Sequence, residues 1–140
     1  MHTIHQMFEK DQFARLAGIE LASLAPGCAT ARMPLNPSHL NGVGSVQGGA
    51  IFTLADFAFA AAANSHGTVA VAINVSITFV KAVSKGTLTA EAREVALNPK
   101  LGSYTVHVFD DSRAVVAIFQ GLAYRKKEPV PDSGAPGGAR

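Results

Sequence analysis

One carboxylate stands in a stretch of sequence that is otherwise almost entirely apolar. Asp56 interrupts the run from Ala50 to Ala63, in which every other residue except Thr53 is hydrophobic. A charge in such surroundings is costly to desolvate unless it is paired or hydrogen-bonded, and burial raises the pKa of a carboxylate. Such a site suits a functional group. Asp56 is therefore the main catalytic candidate, and the alternative is a structural carboxylate that caps or pairs across a subunit interface.

Two glycines, Gly48 and Gly49, come directly before this apolar run. The first amides of a helix have no intrahelical partner and carry the positive end of its dipole, so they could stabilise an oxyanion. Glycine lets a ligand approach the backbone closely, although a plain tight turn is the alternative. Asp56 lies about 12 Å along a helix axis from Gly48. One chain therefore cannot bring both groups to the same bond without help.

Composition limits the classes of function. The 140 residues are 48% hydrophobic and 16% charged, which predicts a single globular domain. The net charge of +2 comes without a clustered basic face, so we expect no nucleic-acid partner. The histidines lack metal-ligand spacing, and we expect no metal. The single cysteine, Cys28, and the lack of a signal-peptide pattern or a run long enough to span a bilayer predict a cytoplasmic protein away from membranes.

Hydrophobic periodicity predicts the elements that would position these groups. Residues 3–17 predict an amphipathic helix, and the run after Gly48 predicts a long helix that is apolar on every face. Strands are predicted at 19–24, 28–34, 69–80, 87–97, 103–109 and 114–124, and turn residues between the last four favour an antiparallel meander.

A helix that is apolar all round requires protein on most sides, which a curved antiparallel sheet wrapped around it would supply. An exposed sheet edge would then invite a second copy of the chain. Residues 1–125 are predicted to form the one domain. Residues 126–140 are rich in proline and glycine and are predicted to be a disordered tail.

Several short motifs together resemble the phenylacetate-pathway (PaaI-like) family of hot-dog acyl-CoA thioesterases. They are Asn41-Gly42, Gln47-Gly48-Gly49, Phe52-Thr53-Leu54-Ala55-Asp56, Ala58-Phe59-Ala60, Asn64-Ser65 and the strand 75–81. The resemblance covers roughly residues 5 to 125. It implies an α+β hot-dog fold, hydrolysis of acyl-CoA thioesters without a cofactor other than the coenzyme A of the substrate, and active sites at a dimer interface. It further implies dimers usually paired into a homotetramer, and an aryl-acetyl or benzoyl acyl group.

The resemblance also assigns catalytic roles. Asp56 aligns with the family's carboxylate, which either activates water as a general base or attacks the thioester carbonyl itself, and both routes stay open. Gly48 supplies the oxyanion donor, and Asn41 helps to place the substrate or water, although Asn before Gly is also ordinary turn chemistry. Gln47 stands where the family usually has His. It could orient the carbonyl but cannot shuttle a proton, and the alternative is a loop residue bonded to its own backbone.

Four residues are candidate substrate contacts: Gly49, Thr53, Asn74 and Lys81. Thr53 could bond Asp56 or, as we rather expect, its own backbone. Lys81 could contact the phosphates of CoA, although solvated lysines are commoner. The acyl group is expected in a pocket lined by Phe52, Phe57 and Phe59. A second hypothesis is a module that binds acyl-CoA without hydrolysing it, against which a buried carboxylate argues.

Overall fold

The computed structural model describes residues 1–131, which form two short helices, one long helix and six strands. The helices are α1 (His2–Glu9), α2 (Gln12–Ala17) and α3 (Gly48–Ala63), and Pro37–His39 form a 3₁₀ turn. The strands are β1 (Glu20–Ala25), β2 (Cys28–Pro34), β3 (Thr68–Phe79), β4 (Thr87–Leu97), β5 (Leu101–Phe109) and β6 (Val115–Pro129). None of the helices in this range is long and apolar enough to cross a membrane.

All six strands form one antiparallel sheet, in the order β1-β2-β4-β5-β6-β3. Side chains of β2, β4 and β5 alternate between buried and more exposed, as expected for a sheet with one face covered. The covered face packs against α3, which contacts every strand of the sheet. The predicted curved antiparallel sheet around one long central helix is therefore confirmed.

The predicted four-stranded meander is wrong in one respect. Only β4, β5 and β6 follow one another as neighbours, whereas β3 lies at the sheet edge beside β6. After β3 the chain does not turn back on itself but crosses the end of the sheet. There the Val46 amide donates to Val83 O at 2.8 Å and the Leu35 amide to Gly86 O at 2.8 Å. These bonds hold the chain on the path that places β4 beside β2. This pairing joins residues far apart in sequence, so local turn residues do not specify it.

The long helix is buried nearly all round, as its composition predicts. Nine of its sixteen residues are buried. The Phe59 ring contacts the rings of Tyr104 and Phe119 at centroid distances of 5.6 Å each. It also lies against Gly121, where a Cβ atom would come within 2.6 Å of the ring. Glycine at this point of β6 therefore lets helix and sheet approach closely.

The predicted N-terminal helix is divided into α1 and α2. The break falls at Asp11, whose backbone is extended and whose Oδ1 accepts a hydrogen bond from the Ala14 amide at 3.0 Å. An aspartate that caps a new helix in this way competes with continuation of the preceding one. Gly18, with φ of 80°, ends α2 where the sequence predicts a stop.

The sheet continues beyond residue 125. β6 runs to Pro129, which pairs with Thr68 of β3, and the Val130 amide donates to Gly67 O at 2.8 Å. The prediction of a tail from residue 126 is therefore wrong for 126–129, because backbone pairing at the sheet edge does not require apolar side chains. Residues 132–140, the rest of the predicted tail, lie outside the described residues.

Candidate active site

Asp56 lies in the middle of α3 and is half-buried. Burial raises its pKa above the ordinary value, and the negative charge of Asp11 raises it further. Within residues 1–131 its carboxylate forms no hydrogen bond or ion pair. A half-buried carboxylate without a partner is free to accept a proton from a bound water or to attack an acyl group.

The start of α3 leaves one backbone donor unused. Gln47 is the N-cap residue, and its Oε1 accepts a hydrogen bond from the Gly49 amide at 2.6 Å. The Ala50 amide donates to Gln47 O at 2.9 Å, and the Ile51 amide points to the same oxygen. Among the described residues, the Gly48 amide has no acceptor. The Gly48 amide is therefore left without an acceptor at this helix start, whereas the three amides that follow it are bonded.

Gln47 and Gly49 form the cap of the helix and also line the larger of two clefts beside it. The Gln47 side chain bonds its own backbone neighbourhood, which is the structural alternative considered for it. A Cβ atom on Gly49 would come within 2.6 Å of Gln47 Oε1, so glycine is required for this cap. The Gly49 amide is consequently occupied and cannot act as a second oxyanion donor.

Gly48, Asn41 and Lys81 line one cleft of about 440 Å³, beside the exposed ring of Phe79. Asn41 Oδ1 accepts from the amides of Val43 and Ser45 at 3.0 and 3.1 Å, which shapes the loop before α3. Its Nδ2 has no acceptor in the described part of the chain.

Lys81 is already paired within its own chain. Its ammonium group donates to Asp110 Oδ2, and this bond, with further donors from Ser112 and Ala114, holds the pKa of the Asp110 carboxyl far below its usual range. A substrate phosphate at Lys81 would have to compete with that carboxylate. Lys81 nevertheless lines the Gly48 cleft.

A second and larger cleft, of about 850 Å³, lies between α2 and the first turns of α3. Its lining is mostly apolar and includes Phe13, Leu16, Ala50 and Phe52. Thr53 also lines it, and its hydroxyl donates to Gly49 O at 2.8 Å, the backbone bond that we expect for this residue. Phe52 and Thr53 precede Asp56 by about one turn on the same face of α3, although Asp56 itself does not line the cleft.

The prediction that Phe52, Phe57 and Phe59 together line the acyl pocket is wrong for two of the three residues. Phe52 lines the cleft, but Phe57 and Phe59 are buried in the core, where Phe57 meets Phe8 edge-on at 5.5 Å. Apolar residues on a helix that is buried all round cannot be divided by sequence into core and pocket. Phe13 and Leu16, which the sequence analysis missed, form the cleft wall, and their exposure on a short amphipathic helix is the signal that could have identified them.

Asn74 is placed apart from the other candidates. It pairs across β3 and β6 with Leu122 and shares a groove with Ser76, Thr105 and Gln120 on the face of the sheet away from α3. Within one chain, the sheet therefore separates Asn74 from Asp56 and Gly48. In residues 1–131 no group of three or more His, Cys, Asp or Glu side chains is arranged to hold a metal ion.

Residues 43–117 match the family model described as Thioesterase superfamily, and these residues include Gly48 and Asp56. The acyl-coenzyme A thioesterase PaaI of Escherichia coli is 38% identical over 122 residues, covering 86% of this chain and 87% of that protein. The chain belongs to the PaaI-like thioesterase family. It is accordingly a thioester hydrolase, as the sequence motifs predict.

Other relatives of this thioesterase agree with that assignment. A putative esterase of Archaeoglobus fulgidus is 40% identical over 126 residues, covering 89% of this chain and 82% of that protein. The solved structure of the Escherichia coli PaaI protein from the phenylacetic acid degradation operon superposes with a TM-score of 0.89 at 34% identity, covering 93% and 95% of the two chains. The predicted α+β hot-dog fold is therefore confirmed.

Proposed function

We propose that this thioesterase hydrolyses acyl-CoA to a free acid and CoA, with Asp56 as the catalytic carboxylate and the Gly48 amide as the oxyanion donor. The observation that carries the proposal is that the same helix contains both a half-buried carboxylate without a partner and a single N-terminal amide without an acceptor. The similarity to an acyl-coenzyme A thioesterase supports the choice of substrate class. No cofactor beyond the CoA of the substrate is required by this chemistry.

The proposed site uses two chains. Asp56 and Gly48 of one copy are about 12 Å apart along a continuous helix, too far to act on one carbonyl. Ile73 and Phe79 of the edge strand β3, and Val80 directly after it, have half or more of their surface exposed, and Phe79 borders the Gly48 cleft. A second copy on this edge would bring its own Asp56 towards that cleft. We therefore propose a homodimer, with pairs of dimers forming a tetramer, in the cytoplasm.

The raised pKa of Asp56 supports the general-base route. Asp56 takes a proton from water while the water oxygen bonds to the thioester carbon, and the carbonyl oxygen becomes an oxyanion held by the Gly48 N–H. The C–S bond then breaks, and the CoA thiolate leaves and takes up the proton. In the rival route the Asp56 carboxylate attacks and forms an anhydride. After a single turnover in ¹⁸O-water, label in the Asp56 carboxyl group would indicate an anhydride opened by water at the Asp56 carbon, because the general-base route places no water oxygen on Asp56.

The larger cleft supports an apolar acyl group, and Phe13, Leu16 and Phe52 suit an aryl-acetyl or benzoyl chain. A panel of acyl-CoA esters, followed by thiol release, tests this choice. We expect aryl-acetyl or benzoyl esters to give the highest kcat/KM. A preference for short polar acyl groups would contradict the proposal for this cleft.

The decisive variant is Asp56→Asn, which removes the base at nearly constant shape. We expect kcat to fall by about 10²–10⁴-fold, the usual contribution of a positioned general base, with the melting temperature retained. Glu9→Gln, which removes an exposed carboxylate of α1, is the control and should keep the wild-type rate. Full activity in D56N would rule out the role of Asp56. Wild-type protein that retains acyl-CoA stoichiometrically without turnover would favour the binding-module hypothesis instead.

A further inference from the structure

The short helix α2 is fixed at both ends against the proposed site. At its C-terminal end, Ala17 O accepts a hydrogen bond from His39 Nε2 at 2.6 Å, while His39 Nδ1 accepts from the Asn36 amide at 3.0 Å. At its N-terminal end, the Asp11 amide donates to Phe8 O at 3.2 Å, and the Phe8 ring packs edge-on against Phe57. Since Phe57 directly follows Asp56, the N-terminus of α2 lies beside the turn of α3 that carries the carboxylate.

The carboxylate of Asp11 is held in this position. Its Oδ1 accepts from the Ala14 amide at 3.0 Å, which is the N-cap bond of α2, and Ala14 is buried. The negative charge therefore cannot swing away without loss of the cap. After burial, it is the second cause of the raised pKa of Asp56, since a like charge nearby disfavours ionisation.

Among the charged groups of residues 1–131, Asp11 is the one whose charge is a cause of the raised pKa of Asp56. Glu9 and Arg15 flank Asp11 in the sequence but do not contribute. On the sheet side, the side chains that face α3 from β2 and β5 are apolar apart from Tyr104. Tyr104 donates to Glu94 of β4 at 2.8 Å, and Glu94 also pairs with His66, which lies beyond the C-terminal end of α3. The polar groups of Tyr104, Glu94 and His66 are therefore bonded to one another, and none of them is a cause of the raised pKa of Asp56.

We propose that Asp11 is a positioning residue for thioester hydrolysis: α2 holds its negative charge beside Asp56 and thereby favours proton uptake by Asp56. The inference rests on the proposed role of Asp56. A carboxylate beside a fixed like charge is a stronger base once ionised, but it needs a higher pH to become ionised. The cost of this arrangement is a loss of activity on the acidic side, and that loss can be measured.

The test is the pH profile of kcat/KM in wild type and in Asp11→Asn. Asparagine caps a helix about as well as aspartate, so D11N removes the charge and keeps the cap. We expect the acidic limb of the profile to move to lower pH, because Asp56 ionises more readily without its like-charged neighbour. Asp11→Ser, a second cap without charge, should move the limb by the same amount.

Glu9→Gln is the matched control, since it removes an equal charge two residues away that is not a cause of the raised pKa of Asp56. The acidic limb of its pH profile should stay where it is in wild type. An acidic limb that is unchanged in both D11N and D11S, with unchanged melting temperatures, would overturn the proposal. Asp56→Asn distinguishes this failure from that of the proposed function. If D56N keeps the wild-type rate, the carboxylate itself is not catalytic; if it is inactive while D11N is unshifted, only the role of Asp11 is wrong.

Discussion

Gln47, the residue before the two glycines, has a side chain that cannot take up or release a proton. Its side-chain oxygen accepts a hydrogen bond from the Gly49 amide at 2.6 Å, so Gln47 acts as the N-cap of the helix through its own side chain. Because an amide does not titrate, the donor geometry at Gly48 stays the same over the whole working pH range. The proton chemistry of the proposed site then falls to Asp56, which is why the charge of Asp11 matters.

The oxyanion role of Gly48 can be tested by removing only its N–H. Proline is well tolerated at the first position of a helix, and the extended backbone of Gln47 suits a residue that precedes proline. We expect Gly48→Pro to lower kcat by about 10²–10³-fold, the typical loss for one oxyanion donor. Thiol release from the preferred acyl-CoA is the measurement.

Gly48→Ala is the control for this substitution. Its Cβ atom meets the same Phe79 ring, 3.1 Å away, but the N–H is retained. The oxyanion role requires G48A to be much more active than G48P. Equal loss in the two variants would show that crowding against Phe79, and not the missing donor, is responsible.

Among the elements, α3 and β6 meet most closely at Gly121. A Cβ atom there would come within 2.6 Å of the Phe59 ring, which is itself wedged against Tyr104 and Phe119. We expect Gly121→Ala to lower the free energy of unfolding by about 1–3 kcal/mol through overpacking. Urea denaturation followed by circular dichroism measures the change.

Gly42→Ala is the matched control, because nothing lies within 4 Å of its Cβ position and its φ is not in the left-handed region. It should leave the unfolding midpoint nearly unchanged. A midpoint for G121A equal to that of G42A would mean that the helix and the sheet can separate at this point without cost.

Periodicity and turn residues were sufficient to predict most elements, including α3 and the strands, because each leaves a local pattern in the chain. The break at Asp11 is also local: an aspartate three residues before Ala14 is an N-cap signature that the apolar pattern of residues 3–17 obscured. The division of Phe52 from Phe57 and Phe59 is not local. It depends on which face of α3 meets α2 and which meets the sheet, and only the assembled fold decides that.

In the whole molecule, the proposed site should be complete only across two chains. D56N keeps a working Gly48 and G48P keeps a working Asp56, so each mixed dimer contains one intact pair. We expect the two inactive variants, unfolded together and refolded in equal amounts, to recover about a quarter of wild-type activity, since half of the dimers are mixed and each has one of two sites. Activity is measured after size-exclusion chromatography.

Each variant refolded alone serves as the baseline for this experiment. No recovery in a mixture that has formed mixed dimers, shown by a mass or affinity tag on one variant, would contradict a shared site. It would leave the family assignment unaffected, because that rests on the sequence match and the fold.

The order of strands is the part of the fold that local sequence could not specify. The turn residues after β3 look like a hairpin signal, yet β3 pairs with β6, the last strand of the chain. The path between β3 and β4 is held by backbone hydrogen bonds to Val83 O and Gly86 O, which do not depend on the type of side chain at these positions. A resemblance to known folds carries this information, whereas periodicity does not.

The pairing of β3 with β6 also sets the order in which the chain can fold. Thr68 can pair with Pro129 only after the chain between them has been closed into a loop, and this loop is among the longest in the domain. Contacts between residues so distant in sequence slow folding. During synthesis, β3 would leave the ribosome with an apolar edge and no partner until the final strand follows. Chains cut before residue 115 would therefore be prone to aggregate rather than merely inactive.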